Sequence, residues 1–202
     1  SDNNTFAVPA MDNAGKNLIF ANSEHVTPLA EYTAESANDC SWNLVGNPFP
    51  SYYDTRWIKF NAPITVWNAR QQTYDAYSLT DDAYILRPGE AFFVQRPNDM
   101  DNITFPTEGR LTTNVVEDTA TIAYANMRTF GSPQRRVFNL YLTDGNHTDR
   151  TRFVINDLAG ISYDINTDAG KFMSTDKTVA QLYTIENGMN LSINERPLGT
   201  GL

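Results

Sequence analysis

Trp42-Asn43-Leu44-Val45-Gly46-Asn47-Pro48-Phe49-Pro50-Ser51 and, about forty residues on, Pro88-Gly89-Glu90-Ala91-Phe92-Phe93-Val94-Gln95 decide how this chain is read. The first stretch runs as a strand into Gly46. Asn47-Pro48 and Phe49-Pro50 then stop it, because proline has no N–H to pair and pushes the preceding residue out of helical space. The second stretch is a Pro-Gly turn feeding a short apolar strand.

The same alternation of short apolar runs and turn residues continues on both sides. Before the first stretch stands Lys16–Ala21. After it come Ile64–Trp67, a turn at Ala69–Gln72, Thr73–Tyr77, Tyr84–Leu86 and Asn102–Phe105. Asp54–Phe60 reads as one short helical turn capped by Asp54. Arg136–Thr143 follows, with Phe138, Leu140 and Leu142 on one face. Thr143–Thr151 reads as a polar loop and Arg152–Ile155 as the returning strand. Val179–Thr184 and Met189–Asn194 are strands joined at Asn187-Gly188, a dipeptide that favours the positive φ angles of a tight hairpin. No helix pattern runs long. The expectation is an all-β protein of two consecutive β-sandwich, jelly-roll-like modules, residues 1–112 and 113–202, divided where composition shifts near Glu108–Val116.

Composition narrows the function classes. Fifteen Lys and Arg against 24 Asp and Glu give a net charge of −9, which repels phosphate backbones and argues against nucleic-acid and anionic-membrane partners. No apolar run reaches the roughly 18 residues of a membrane span, so no membrane insertion is expected. Cys40 is the single cysteine, so the chain has neither an internal disulfide nor a cysteine-rich zinc site. A chain of 202 residues is long enough to be held by a core instead.

The motifs resemble a β module of secreted surface proteins of the Bacteroidetes, of the "WNLIGNPYPS…AFFV" type, found toward the C-terminal end of larger proteins. The second half carries the rest of the likeness: Asp149-Arg150-Thr151, Asp164 with Asp168-Ala169-Gly170-Lys171, and Leu191-Ser192-Ile193-Asn194-Glu195-Arg196-Pro197. The resemblance covers roughly residues 39–106 and 134–197. It implies an extracellular or outer-membrane-surface location, and flanking segments of a parent protein. Such modules usually run on past the final proline, with further strands and often a sorting tail.

The residues offer little chemistry. Cys40-Ser41-Trp42 leads a strand rather than a helix, so nothing there would lower a thiol pKa. His25 and His147 are the only histidines and neither has zinc-ligand spacing. There is no nucleophile elbow, phosphate loop or dinucleotide fingerprint. Calcium is the cation two loops would suit. Asp164-Ile165-Asn166-Thr167-Asp168 places oxygens at alternate positions, although Thr175 stands where a calcium-binding helix–loop–helix has its bidentate Glu. Asp144, Asn146 and Asp149 form the second set. The competing reading for both is turn chemistry, since Asp and Asn side chains bond their local backbone. Tyr52, Tyr53, Trp57, Tyr74 and Tyr77 are the candidate ligand-binding rings, able to stack on sugars, with core packing as the alternative. Tyr52 and Tyr53, after the Pro turn, are the expected surface pair.

The resulting expectation is a non-enzymatic, adhesin-like structural or interaction module of a bacterial surface protein, meeting a glycan or a protein at the cell surface. A calcium-assisted carbohydrate-binding module of a polysaccharide-utilisation system stands second. A hydrolase with carboxylates that no motif reveals stands third.

Overall fold

The computed structural model describes residues 24–80, 82–114 and 135–199. The expected strand at Lys16–Ala21 lies outside these residues. The protein is all-β; among the described residues the only helical turns are of the 3₁₀ type. Fourteen strands follow in order among the described residues: β1 His25–Pro28, β2 Trp42–Gly46, β3 Tyr52–Asp54, β4 Ile64–Asn68, β5 Thr73–Tyr77, β6 Ile85–Leu86, β7 Ala91–Gln95, β8 Asn102–Phe105, β9 Arg110–Leu111, β10 Arg136–Thr143, β11 Thr148–Ile155, β12 Ala169–Gly170, β13 Thr184–Glu186 and β14 Met189–Arg196.

They form four sheets: β2-β7-β4-β5, β6-β3-β9, β1-β8, and β10-β11-β14-β12 with β13 also on β14. The two opening stretches are neighbours, since β2 and β7 pair antiparallel with Leu44 opposite Phe93. Strand alternation then sends Val45, Phe92, Val94, Ile64 and Val66 to one face. They meet Tyr53, Leu86, Ile103, Phe105, Ile58 and Phe49 in one buried cluster.

The two proline turns are joined by one side chain. The buried Asn47 donates through Nδ2 to the carbonyls of Ser51 (2.8 Å) and Arg87 (2.9 Å), and its Oδ1 accepts from Phe49 N–H (3.0 Å). Its own N–H donates to the Glu90 carbonyl at 2.9 Å. Gly89 takes φ +69° in the second turn, where a side chain would be strained. Gly109 is required by space: a Cβ there would lie 2.4 Å from Cζ of Tyr53.

Local signals place several elements as expected. Asp54 caps the 3₁₀ turn Thr55–Trp57, accepting from Arg56 N–H at 3.0 Å. Asn187 (φ 48°) and Gly188 (φ 80°) form the tight turn between β13 and β14. Two expectations are corrected. The strand expected at Val179–Thr184 is instead β13, Thr184–Glu186, because the two-residue turn pairs the residues that flank it directly, Glu186 with Met189. Thr148–Thr151 are not loop but the first half of β11, in register with Leu140–Thr143 of β10. β11 then pairs parallel with β14, and a parallel pair needs a long connection between its strands. Residues 156–188 supply it.

The sheet of β11 and β14 lies against β5. Ala76, Ala169 and Ile193 form a small shared cluster. Arg150 reaches the Ala76 carbonyl and Arg152 pairs with Asp82. Tyr163 donates its hydroxyl to Oε1 of Gln95, whose Nε2 donates to the carbonyls of Ala37 and Cys40.

Candidate functional site

The second-half motifs converge on buried charge pairs. β11 alternates its side chains between two covered faces, and Asp149 is fully enclosed. Its carboxylate accepts from Lys171 Nζ at 2.6 and 2.7 Å, from Leu182 N–H at 2.7 Å and from Arg150 N–H at 2.9 Å. Both side chains of this pair have no exposed surface. Asp168 accepts from Arg196 at 2.8 Å, from Glu195 N–H at 2.8 Å and from Asp164 N–H at 2.8 Å. Burial pushes the Asp168 carboxyl above the usual aspartate range, against the pull of the Glu195 N–H and the Arg196 guanidinium. Glu195 in turn accepts from Arg135 and Asn156.

These contacts correct the calcium expectation. Asp149 and Asp168 present their oxygens to a lysine and an arginine, which occupy the positions a cation would take. Asp164 accepts from Asn166 N–H at 2.9 Å, an ordinary Asp turn. Asp144 and Asn146 sit at the exposed tip between β10 and β11. There Asp144 accepts the N–H groups of Asn146 (2.8 Å) and His147 (2.7 Å). Those two bonds, the His147 one first, hold its carboxyl down at about 2. Among the described residues no group of three or more His, Cys, Asp or Glu side chains is placed to hold a metal ion.

The aromatic candidates separate in the same way. Tyr53, expected at the surface, is fully buried, stacked on Phe49 at 5.6 Å and donating its hydroxyl to the Pro106 carbonyl at 2.8 Å. Trp57 packs against the same core. Tyr77 lies against Tyr84 at 4.6 Å and under the Arg150 guanidinium at 4.9 Å; burial first, then nearby Asp75, pushes its hydroxyl up to about 12. Tyr52 is half-buried on β3, opposite Leu111.

Tyr74 is the one candidate that leads to an exposed ring. It lies 4.8 Å from Trp67, 5.5 Å from Phe172 and 6.2 Å from Phe93. Phe172 continues the chain of rings to Trp42 at 4.6 Å. This is the outer face of the β2-β7-β4-β5 sheet. Its inner end is covered by Phe172, while Trp67 (41% exposed) and Leu44 (64% exposed) stay open to solvent. Trp67 was legible in principle: with Ile64 and Val66 facing the core, period-two alternation turns Trp67 outward.

The cavity between Phe60, Leu79 and Asn166 holds about 10 Å³, room for one water and no substrate. Asp75 on β5 is half-buried beside Asn68, which donates to it at 2.8 Å. Desolvation raises its carboxyl above the ordinary range, against the Asn68 bond and the Arg150 charge. A raised folded-state value means stability is lost as pH rises from the ordinary aspartate range through the raised one. Asp75→Asn is therefore expected to match wild type at acid pH and to melt at or above it at neutral pH. Thermal midpoints measured from pH 3 to 7 check this, and a neutral-pH loss would refute it.

No protein-family model, curated protein or solved structure matches the chain.

Proposed function

We propose that this chain is a non-catalytic structural or interaction part of a larger bacterial surface protein, built as two β modules divided near residue 112. One observation carries the reading. The motif carboxylates of the second half are engaged in holding the chain together, Asp149 with Lys171 and Asp168 with Arg196. Among the described residues, what remains accessible is surface for contact. The likeness of the motifs to Bacteroidetes surface modules supports an extracellular location.

The Trp67–Leu44 face favours a second reading, glycan contact. An exposed indole backed by Tyr74 is a flat, rigid, apolar platform. A glycan array probed with and without a chelator tests both readings. Saturable binding that falls at least tenfold in Trp67→Ala supports glycan contact at this face. Binding that disappears with chelator would instead point to calcium at the Asp144–Asn146 tip. Absence of binding in either condition leaves protein interaction as the working role.

A further inference from the structure

β10 is exposed along all eight of its residues. It borders its sheet and pairs only with β11 among the described strands. Val137, Phe138, Leu140, Tyr141 and Leu142 are 38–65% exposed, so both faces of the strand are apolar and open. Edge strands of soluble proteins are ordinarily blunted by lysine, proline or a bulge. β10 has none of these, and its one charge, Arg136, stands at its first position. The register with β11 is unbroken from Arg136 to Thr143.

We propose that β10 pairs antiparallel with β10 of a second copy of this chain, about a two-fold axis through Leu140. Three features select this occupant. The first is charge. The strand begins at Arg136, and its last residue, Thr143, is followed by Asp144, whose carboxyl is held ionised by the hairpin tip. Centring on Leu140 sets Arg136 of each copy opposite Asp144 of the other, twice by symmetry; a parallel arrangement would set like against like. Opposite charges directly across an antiparallel pair stabilise it and like charges oppose it.

The second is backbone polarity. Asp144 N–H donates inward to the His147 carbonyl. Antiparallel ladders alternate, so Val137, Asn139, Tyr141 and Thr143 turn their N–H and C=O groups outward. The same register puts Val137 opposite Thr143 and Asn139 opposite Tyr141, so the outward groups meet each other. The third is side-chain contact. Phe138 falls opposite Leu142 and Leu140 opposite Leu140, which closes one apolar row across the joint. A single-strand interface is small, so the dimer is weak and reversible. It is independent of any glycan contact at Trp67.

Sedimentation velocity over about a hundredfold range of protein concentration tests the pairing. Physiological salt is used, so that the net −9 of each copy is screened beyond about 8 Å. Wild type is expected to pass from monomer to dimer. Leu140→Lys, which sets two ammonium groups on the axis, is expected to stay monomeric. Arg136→Glu, which sets Glu opposite Asp144, is expected to weaken the dimer roughly tenfold. Far-UV circular dichroism verifies that the variants fold; if Leu140→Lys does not, Arg136→Glu decides. A wild type that stays monomeric throughout overturns the proposal, and hydrogen exchange on β10 would then show whether another part of the chain protects it. A dimer indifferent to both substitutions overturns it equally, because its interface lies elsewhere.

Discussion

Lys171→Met is expected to destabilise the protein by about 3–5 kcal/mol, because it leaves a buried carboxylate without its counter-charge. Asp149 and Lys171 are both fully enclosed, with two short contacts between them. Desolvating two ions costs several kcal/mol each, and their mutual attraction offsets this only while both are present. The double variant Asp149→Asn with Lys171→Met removes both charges and keeps an oxygen to accept the Leu182 N–H, which Asp149 accepts at 2.7 Å. It is expected to recover a large part of the loss, so the two substitutions are strongly non-additive. Denaturant unfolding of the three variants measures this. A loss below about 1 kcal/mol in Lys171→Met, the range of surface pairs, would mean that the pair is solvated.

Tyr53→Ala is expected to cost about 3–5 kcal/mol, as removal of a buried aromatic ring generally does. The ring has no exposed surface and lies between Phe49, at 5.6 Å, and Phe105, at 5.5 Å. The space left by the ring cannot be filled from Gly109, which lies against it and has no side chain to move. Tyr53→Phe isolates the hydroxyl: it removes the shorter of the two donors to the Pro106 carbonyl, which keeps the Gly109 N–H at 3.3 Å, at a cost of about 1 kcal/mol. The order Ala far below Phe, and Phe slightly below wild type, is read from denaturant midpoints. An alanine variant within about 0.5 kcal/mol of wild type would place the ring at the surface.

These two residues also mark where reading the sequence succeeds and where it stops. Strands with their own alternation or turn chemistry were legible: β2 and β7 on either side of their proline turns, β4 and β5, β10, and β14 with its turn at Asn187-Gly188. Asp54 was legible as a cap because its bond to Arg56 N–H is made two residues away. β1, β9 and β12, of two to four residues, were not, since each exists only through a partner distant in sequence, such as Phe105 for His25.

One misread segment was Thr148–Thr151. Asp149-Arg150-Thr151 is polar on both faces, which in one dimension describes a loop. In three dimensions each polar group meets a distant partner: Lys171 for Asp149, Asp82 and the Ala76 carbonyl for Arg150, and the Leu191 and Ser192 carbonyls for Thr151. The calcium expectation failed at Asp149 and Asp168 for the same reason, since carboxylate spacing does not reveal which cation will arrive. Tyr52 and Tyr53 show it for rings: adjacent in a strand, they face opposite ways, and only the position of Phe49 and Phe105 says which side is core.

The sequence by itself determined the class of the fold and the place of its main turns, because alternation, proline and glycine act through bonds between neighbours. Tertiary structure alone decided which carboxylates are neutralised, which aromatic rings are core, and that β10 is left with both faces open. Those outcomes depend on groups tens of residues apart being brought within a few ångströms, and no local pattern encodes that.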